Sequence, residues 1–234
     1  TSLVCCDFPL FQITLLQKEK KFPSKTYIFV CFGYICIMKQ QEKSEATRQL
    51  IIDTAYNLFY TNGLQRTSID SITSKINLSR GAFYHHFKNK KELILAVIHS
   101  KVHNRICDAL ILPLYTEGDP ILILCNTFSE RLNLFTRKEK ELGCPLNKFI
   151  TELGGIKQYS FALMNIINKW KSAIENILDR AKKEQKIDRD TDVSATALFL
   201  ISAYEGMRMI RKIDENDEKF NQCIESIIKY IRAL

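Results

Sequence analysis

From residue 44 onward, apolar side chains return at helical rather than strand spacing. Ile51, Ala55, Leu58 and Phe59 lie on one face, with Leu50 and Ile52 broadening it, and this predicts an amphipathic helix. Asn62-Gly63 predicts its end, because glycine enters the left-handed region at little steric cost. Thr67 then reads as a cap, with Asp70 three residues on standing in for the Glu or Gln of a capping box. The short helix it opens offers Ile69, Ile72 and Ile76 to a core. Asn77-Leu78-Ser79 is a break, and Ser79 can cap a second short helix from Arg80 to His86. Asn89, with Glu92 three on, caps a further helix through Leu93, Ile94, Val97 and Ile98. A long helix, two very short ones joined by a tight turn, then a longer one is a helix-turn-helix arrangement.

The same pattern continues beyond residue 104. Breaks at Pro113, Gly118-Asp119-Pro120, Gly143-Cys144-Pro145, Gly154-Gly155 and 186–192 separate apolar helical stretches at 121–134, 146–153, 159–178, 195–210 and 220–234. With no internal repeat and no low-complexity tract, this predicts an all-helical bundle. Residues 1–37 differ. Lys18 to Lys25 is basic, and the apolar run from Tyr27 to Met38 is too short to span a bilayer, which takes about 20 helical residues. Its aromatic and β-branched content makes a strand locally as reasonable as a helix. Two readings stay open: a membrane-proximal or packing extension, or a functional protein that begins at Met38.

Composition adds the partner. The 234 residues carry a net charge of +8, which suits a polyanion. Residues 38–103 hold ten basic against five acidic side chains, whereas 104–234 are nearly balanced at twenty against nineteen. Positive charge thus sits in one short segment, as a small DNA-binding module on a near-neutral body requires. The eight cysteines are scattered apart from Cys5-Cys6, and read as reduced thiols rather than a disulfide framework or zinc site. No phosphate loop, dinucleotide fingerprint or nucleophile with partners argues for an enzyme, and no cofactor is expected. His99 and His103 share a helix face but lack a third metal ligand.

Within the helix-turn-helix, the helix opened by Ser79 is the expected recognition helix. Arg80, Tyr84, His85 and His86 are side chains that reach bases and phosphates, and Gly81 and Ala82 let the backbone approach a groove. His85 and His86 also read as ordinary surface residues. Phe83 and Phe87, four apart, read as core. Lys90 at a helix start opposes the helix dipole, a cost understandable if it faces a phosphate. Thr67 and Ser68 offer hydroxyls and amides to another phosphate, although Thr67 also reads as a cap alone.

Residues 44–100 resemble the N-terminal domain of the TetR family of transcriptional regulators. The resemblance runs through Thr47, Ile51 to Ala55, Leu58-Phe59, Asn62-Gly63, Thr67, Ile72, Ile76 and Ser79. It is densest from Gly81 to Leu93 (GAFYHHFKNKKEL). The resemblance implies a homodimer on a palindromic operator in double-stranded DNA, usually a repressor released by a small-molecule effector. By position it implies that Thr67 and Lys90 hold phosphates, that Tyr84 and His86 contact the backbone near the groove, and that Arg80 and Gly81 face base edges. An activator or effector-independent DNA-binding protein of the same fold is the alternative.

The expected fold is therefore all-α: an N-terminal helix-turn-helix domain of three helices (38–92) and a C-terminal helical ligand-binding and dimerisation bundle (93–234). An effector pocket is expected at Leu124, Phe128, Phe149, Tyr159, Met164 and Trp170, although Trp170 reads equally as core. Dimerisation is expected at the last two helices, through Leu198, Ser202, Gly206, Ile210, Ile224, Ile228 and Ile231. The run Gly143-Cys144-Pro145-Leu146-Asn147, then Glu152, looks like a sequence recurring in the regulatory domain of one subset of the family. Cys144, near a helix start, reads either as a structural thiol or as one with a lowered pKa that senses oxidants. The expected location is cytoplasmic, with no stable membrane partner.

Overall fold

The computed structural model describes residues 24–133, 137–214 and 216–234, with side chains described over 40–130, 139–214 and 216–234. The reading of residues 1–23 and the side chains of the 27–38 run lie outside the described residues. Helix α1 (Ser24–Asn62) takes the place where a strand was equally expected. Its beginning belongs to one compact unit, residues 1–48, and its end to a second, 49–234. In the first unit, Thr47 Oγ1 donates to the Lys43 carbonyl (2.9 Å), one turn back.

The second unit opens with the end of α1, then α2 (Ile69–Lys75), α3 (Arg80–His86) and α4 (Lys90–Val97). Helices of seven or eight residues do not stand alone in water, so their ends and their packing must hold them. Each is capped. Ser68 Oγ accepts from Ser71 N, Ser79 Oγ from Ala82 N, and Asn89 Oδ1 from Glu92 N. Such caps contribute about 1 kcal/mol each. The first corrects the expected cap by one residue. Ser68, not Thr67, closes the box, and its partner is Ser71, whose Oγ accepts from Ser68 N. Between α2 and α3, Asn77 turns the chain at φ +52°, a conformation asparagine tolerates. Ile51, Phe59, Ile72, Phe83, Phe87 and Leu93 are buried together, so Phe83 and Phe87 point inward as expected.

The chain runs on from α4 without a break in helical backbone. Two segments, Ile98–Val102 and Cys107–Ile111, widen to i→i+5 hydrogen bonding around α5 (His103–Ile106), and Leu112–Tyr115 tightens to a 3₁₀ turn. The widening keeps Ile98, Val102, Ile106, Leu110 and Ile111 buried. The body then comprises α6 (Pro120–Asn133), α7 (Arg137–Leu142), α8 (Pro145–Leu153), α9 (Lys157–Lys183), α10 (Val193–Arg211) and α11 (Asp217–Arg232). Of these only α7 was not expected. Helix α9 packs on α6, α8 and α10, and α11 packs on α6. At the centre, Tyr204 meets the rings of Phe128 and Trp170 edge-on, with centroids 5.6 and 5.5 Å away. The buried residues form one cluster from Ile51 to Ile231, so head and body share a core. No helix among the described residues is long and apolar enough to cross a membrane.

Candidate nucleic-acid interface

Helix α3 presents two faces. Phe83 is fully buried and Phe87, its C-cap, nearly so, while Ser79, Arg80, Gly81, Tyr84 and His85 are exposed and His86 is half-buried. Tyr84, 52% exposed, stands edge-on to Phe83 at 5.4 Å, which orients its ring outward. His85 and His86 meet edge-on at 5.2 Å. A Cβ added at Gly81 would meet no side chain or other element closer than Ser79 Oγ at 4.0 Å, so the space over the glycine is open to approach. Ser68, at the start of α2, is also exposed.

Three of the expected contact residues hold bonds within the protein. Thr67 is 1% exposed, and its hydroxyl donates to the Gly63 carbonyl (2.8 Å). The expectation that it offers that hydroxyl to a phosphate is corrected: the side chain ties the turn after α1. The Lys90 ammonium donates to the Leu64 carbonyl (2.5 Å) and lies 5.8 Å from the Phe59 ring centre. Partial burial lowers its pKa, with Glu152 nearby opposing that shift. The carbonyl and Glu152 thus offset the cation's unfavourable position at the start of α4 without any phosphate. Arg80 is held by Asp70: Nε donates to Oδ1 (2.5 Å) and Nη2 to Oδ2. That hydrogen bond keeps the Asp70 carboxyl below its ordinary pKa. Sequence reasoning placed Asp70 in a cap and missed this pairing, since nothing local signals a partner ten residues away.

The turn after α1 is also where the body grips the head. Leu64 N donates to Glu152 Oε2 (2.8 Å), Lys148 Nζ to the Tyr60 carbonyl (2.8 Å), and the Tyr60 hydroxyl to the Gly143 carbonyl (2.6 Å). Phe59 meets Phe149 edge-on at 6.4 Å. Lys148 and Glu152 lie one turn apart on α8, so a single helix face makes both polar contacts. Gly63, at φ +90°, needs glycine for its backbone, and a Cβ there would also lie 3.3 Å from Glu152 Oε1, close enough to make the carboxylate shift. Beside this face, a cleft of about 280 Å³ is lined by Cys144, Asn147, Lys148, Thr151, Glu152, Met209 and Lys212, among others.

Of the expected pocket residues, Leu124, Phe128, Phe149, Tyr159 and Trp170 are buried in the body. Met164 is corrected: it is 56% exposed, on the outer face of α9. Of the two readings of Cys144, the surroundings favour the structural thiol. It is buried, and burial pushes its thiol up to about 12, with the Glu205 carboxylate adding to the shift. His103 is bonded through both ring nitrogens, to Asn104 and Lys169, at 3.2 Å each. No group of three metal-ligating side chains exists among the described residues.

The expected dimer residues divide. Leu198, Ser202 and Ile210 are exposed on α10, with Gly206 half-exposed between them. Ile224 and Ile231 are buried, and Ile228 is half-buried. These two isoleucines are corrected: α11 turns them onto its own subunit, against α6 and α10. Phe199, Met209, Ile213 and Tyr230 are exposed large apolar side chains that sequence reasoning missed.

Known proteins share this combination of head and body. The family model described as bacterial regulatory proteins, tetR family, matches residues 51–97. That of the tetracyclin repressor-like C-terminal domain matches 122–227. Together they take in more than half of the chain. The chain belongs to the TetR family of transcriptional regulators. It is therefore a DNA-binding regulator rather than an enzyme, with a helix-turn-helix head and a ligand-binding-type body. The TetR-family fold implies operator binding and dimerisation. The chain is 49% identical to the transposon Tn10 TetC protein of Escherichia coli over 57 residues, 24% of this chain and 29% of that protein. Its likeness to the HTH-type transcriptional regulator TtgR of Pseudomonas putida is broader: 28% over 171 residues, 70% of this chain and 80% of that protein. A solved TetR-family regulator from Cytophaga hutchinsonii superimposes with a TM-score of 0.70 at 26% identity. That match covers 81% of this chain and 94% of the other.

Proposed function

We propose that this regulator is a homodimeric repressor that reads a palindromic operator with α3 of each head and is released when a small molecule binds the body. The exposed face of α3, with its two phenylalanines anchored in the core, carries the reading. Arg80 and Gly81 face base edges, Tyr84, His85 and His86 contact the backbone at the groove, and Ser68 and Ser79 lie at the flanking phosphates. Two heads on one palindrome require a two-fold axis. The apolar stripe Leu198, Phe199, Ser202 and Ile210 on α10, extended by Ile213 in the turn after it and by Tyr230 of α11, supplies a face for it.

Release follows from the position of α8. A ligand that shifts this helix acts directly on Tyr60 and Leu64, at the turn that leads into α2. The test is fluorescence anisotropy of the full chain on the DNA flanking its own gene, across a salt series. Tight binding with two subunits per site, selective over scrambled duplex, is the expected result. Weak and unselective binding, at every salt concentration and on duplex enriched from a random pool, would overturn the reading.

A further inference from the structure

We propose that Asp70 is the positioning residue for Arg80 and, through it, a determinant of which operator the protein selects. This rests on the reading above that α3 enters the major groove. Arg80 is the first residue of α3, and Asp70 is the second residue of α2, across the turn of the motif. The carboxylate takes the side edge of the guanidinium, with Nε donating to Oδ1 at 2.5 Å and Nη2 to Oδ2. Two parallel bonds fix a planar group in position and in rotation.

What the carboxylate leaves open is as specific as what it holds. The guanidinium has five N–H donors in a fixed fork, and Asp70 takes two of them. Nη1 has no hydrogen-bond partner among the described residues. One hydrogen of Nη1 and the second of Nη2 form the end edge, two parallel donors pointing away from Asp70. Guanine presents O6 and N7 as two acceptors side by side in the major groove, matching that edge. Both side chains are more than half exposed, so no surrounding core holds Arg80 in place; without Asp70 the side chain would swing free.

Charge separates this role from that of a phosphate contact. Asp70 remains ionised, because its hydrogen bond to Arg80 holds its pKa down. The pair is therefore close to neutral, and its share in displacing counterions from DNA is small. An arginine neutralised in this way contributes direction more than attraction. Loss of Asp70 frees a full positive charge to find any phosphate, so discrimination falls while non-specific binding is maintained or rises.

The experiment uses the full chain with Asp70→Ala, Asp70→Asn, Arg80→Ala and the Asp70→Ala/Arg80→Ala double variant. The probe is duplex DNA enriched from a randomised pool by the unaltered protein, together with every single base-pair variant of it. Thermal midpoints establish that each variant is folded. Arg80→Ala is expected to lower discrimination at one base pair per half-site by about tenfold or more. Asp70→Ala is expected to reproduce most of that loss at the same base pair, with a salt dependence equal to or steeper than that of the unaltered protein. Asp70→Asn, which keeps the shape but not the charge, is expected to fall between. Adding Asp70→Ala to Arg80→Ala is expected to change discrimination less than twofold. If Arg80→Ala removes discrimination and Asp70→Ala does not, the positioning role is overturned and base reading stands. Asp70→Ala weakening all duplexes equally, or adding its full effect to that of Arg80→Ala, would also overturn it. If Arg80→Ala leaves discrimination intact, the base-reading role itself falls.

Discussion

A carboxylate enclosed by protein lowers its free energy by pairing with a cation or by keeping its proton. Glu205 stands between these outcomes. Burial raises its pKa, while Arg208, 4.0 Å away, favours the charged form, and Cys144 and Asn147 lie against it. The net shift is upward, so the folded state holds its proton to higher pH than the unfolded chain does. Stability from this group is full below the ordinary glutamate value of 4.5 and is lost as pH rises through the raised folded value. Glu205→Gln is expected to flatten that part of the curve: the urea midpoint of the unaltered protein falls relative to the variant as pH climbs from 4.5. Parallel curves for the two proteins would show that Glu205 titrates normally. The residue scale also explains why Cys144 sits quietly. A thiol pushed up to about 12 has almost no thiolate at neutral pH, whatever the dipole of the helix beside it.

Among the elements, α8 has the most to connect for its length. Its nine residues bury Leu146, Phe149 and Leu153 while Lys148 and Glu152 reach the head. Glu152→Ala strands the Leu64 amide and removes the anion beside Lys90. It is expected to cost roughly 1–3 kcal/mol in urea unfolding and to weaken operator binding on all sequences alike. An unchanged unfolding free energy would mean that the contact carries no weight. Little of this was readable from the sequence. The caps at Ser79 and Asn89 and the stop at Gly63 were legible because donor and acceptor lie within four residues of each other. The Ser68 cap was missed by one position because two adjacent hydroxyls compete for it. The Glu152–Leu64 bond, spanning 88 residues, leaves no local trace. Helix α11 shows the other limit. Periodicity announces an apolar face but not what covers it, so Ile224 and Ile231 read as a dimer surface when α6 of the same subunit had already claimed them.

At the scale of the whole molecule, assembly and DNA reading are one equilibrium. In the proposed dimer, the exposed stripe on α10 mixes large side chains with Ser202 and Gly206, whose small size suits close approach of a second helix. Ile210→Glu is expected to place a charge in that contact and convert dimer to monomer in sedimentation velocity. Affinity for a palindrome should then fall at least tenfold, towards that for a single half-site, since the second head is no longer tethered. A dimer that persists would place the two-fold axis elsewhere. The shared core has an evolutionary consequence as well. Phe59 packs against Phe149 and the Leu64 amide is satisfied by Glu152, so the head alone has an unfinished surface. A new DNA specificity is then more readily acquired by changing the outward residues of α3 than by grafting on a foreign head, whose underside would have to be refitted to α8. Lineages of such regulators should diverge at the groove-facing surface while head and body are inherited together.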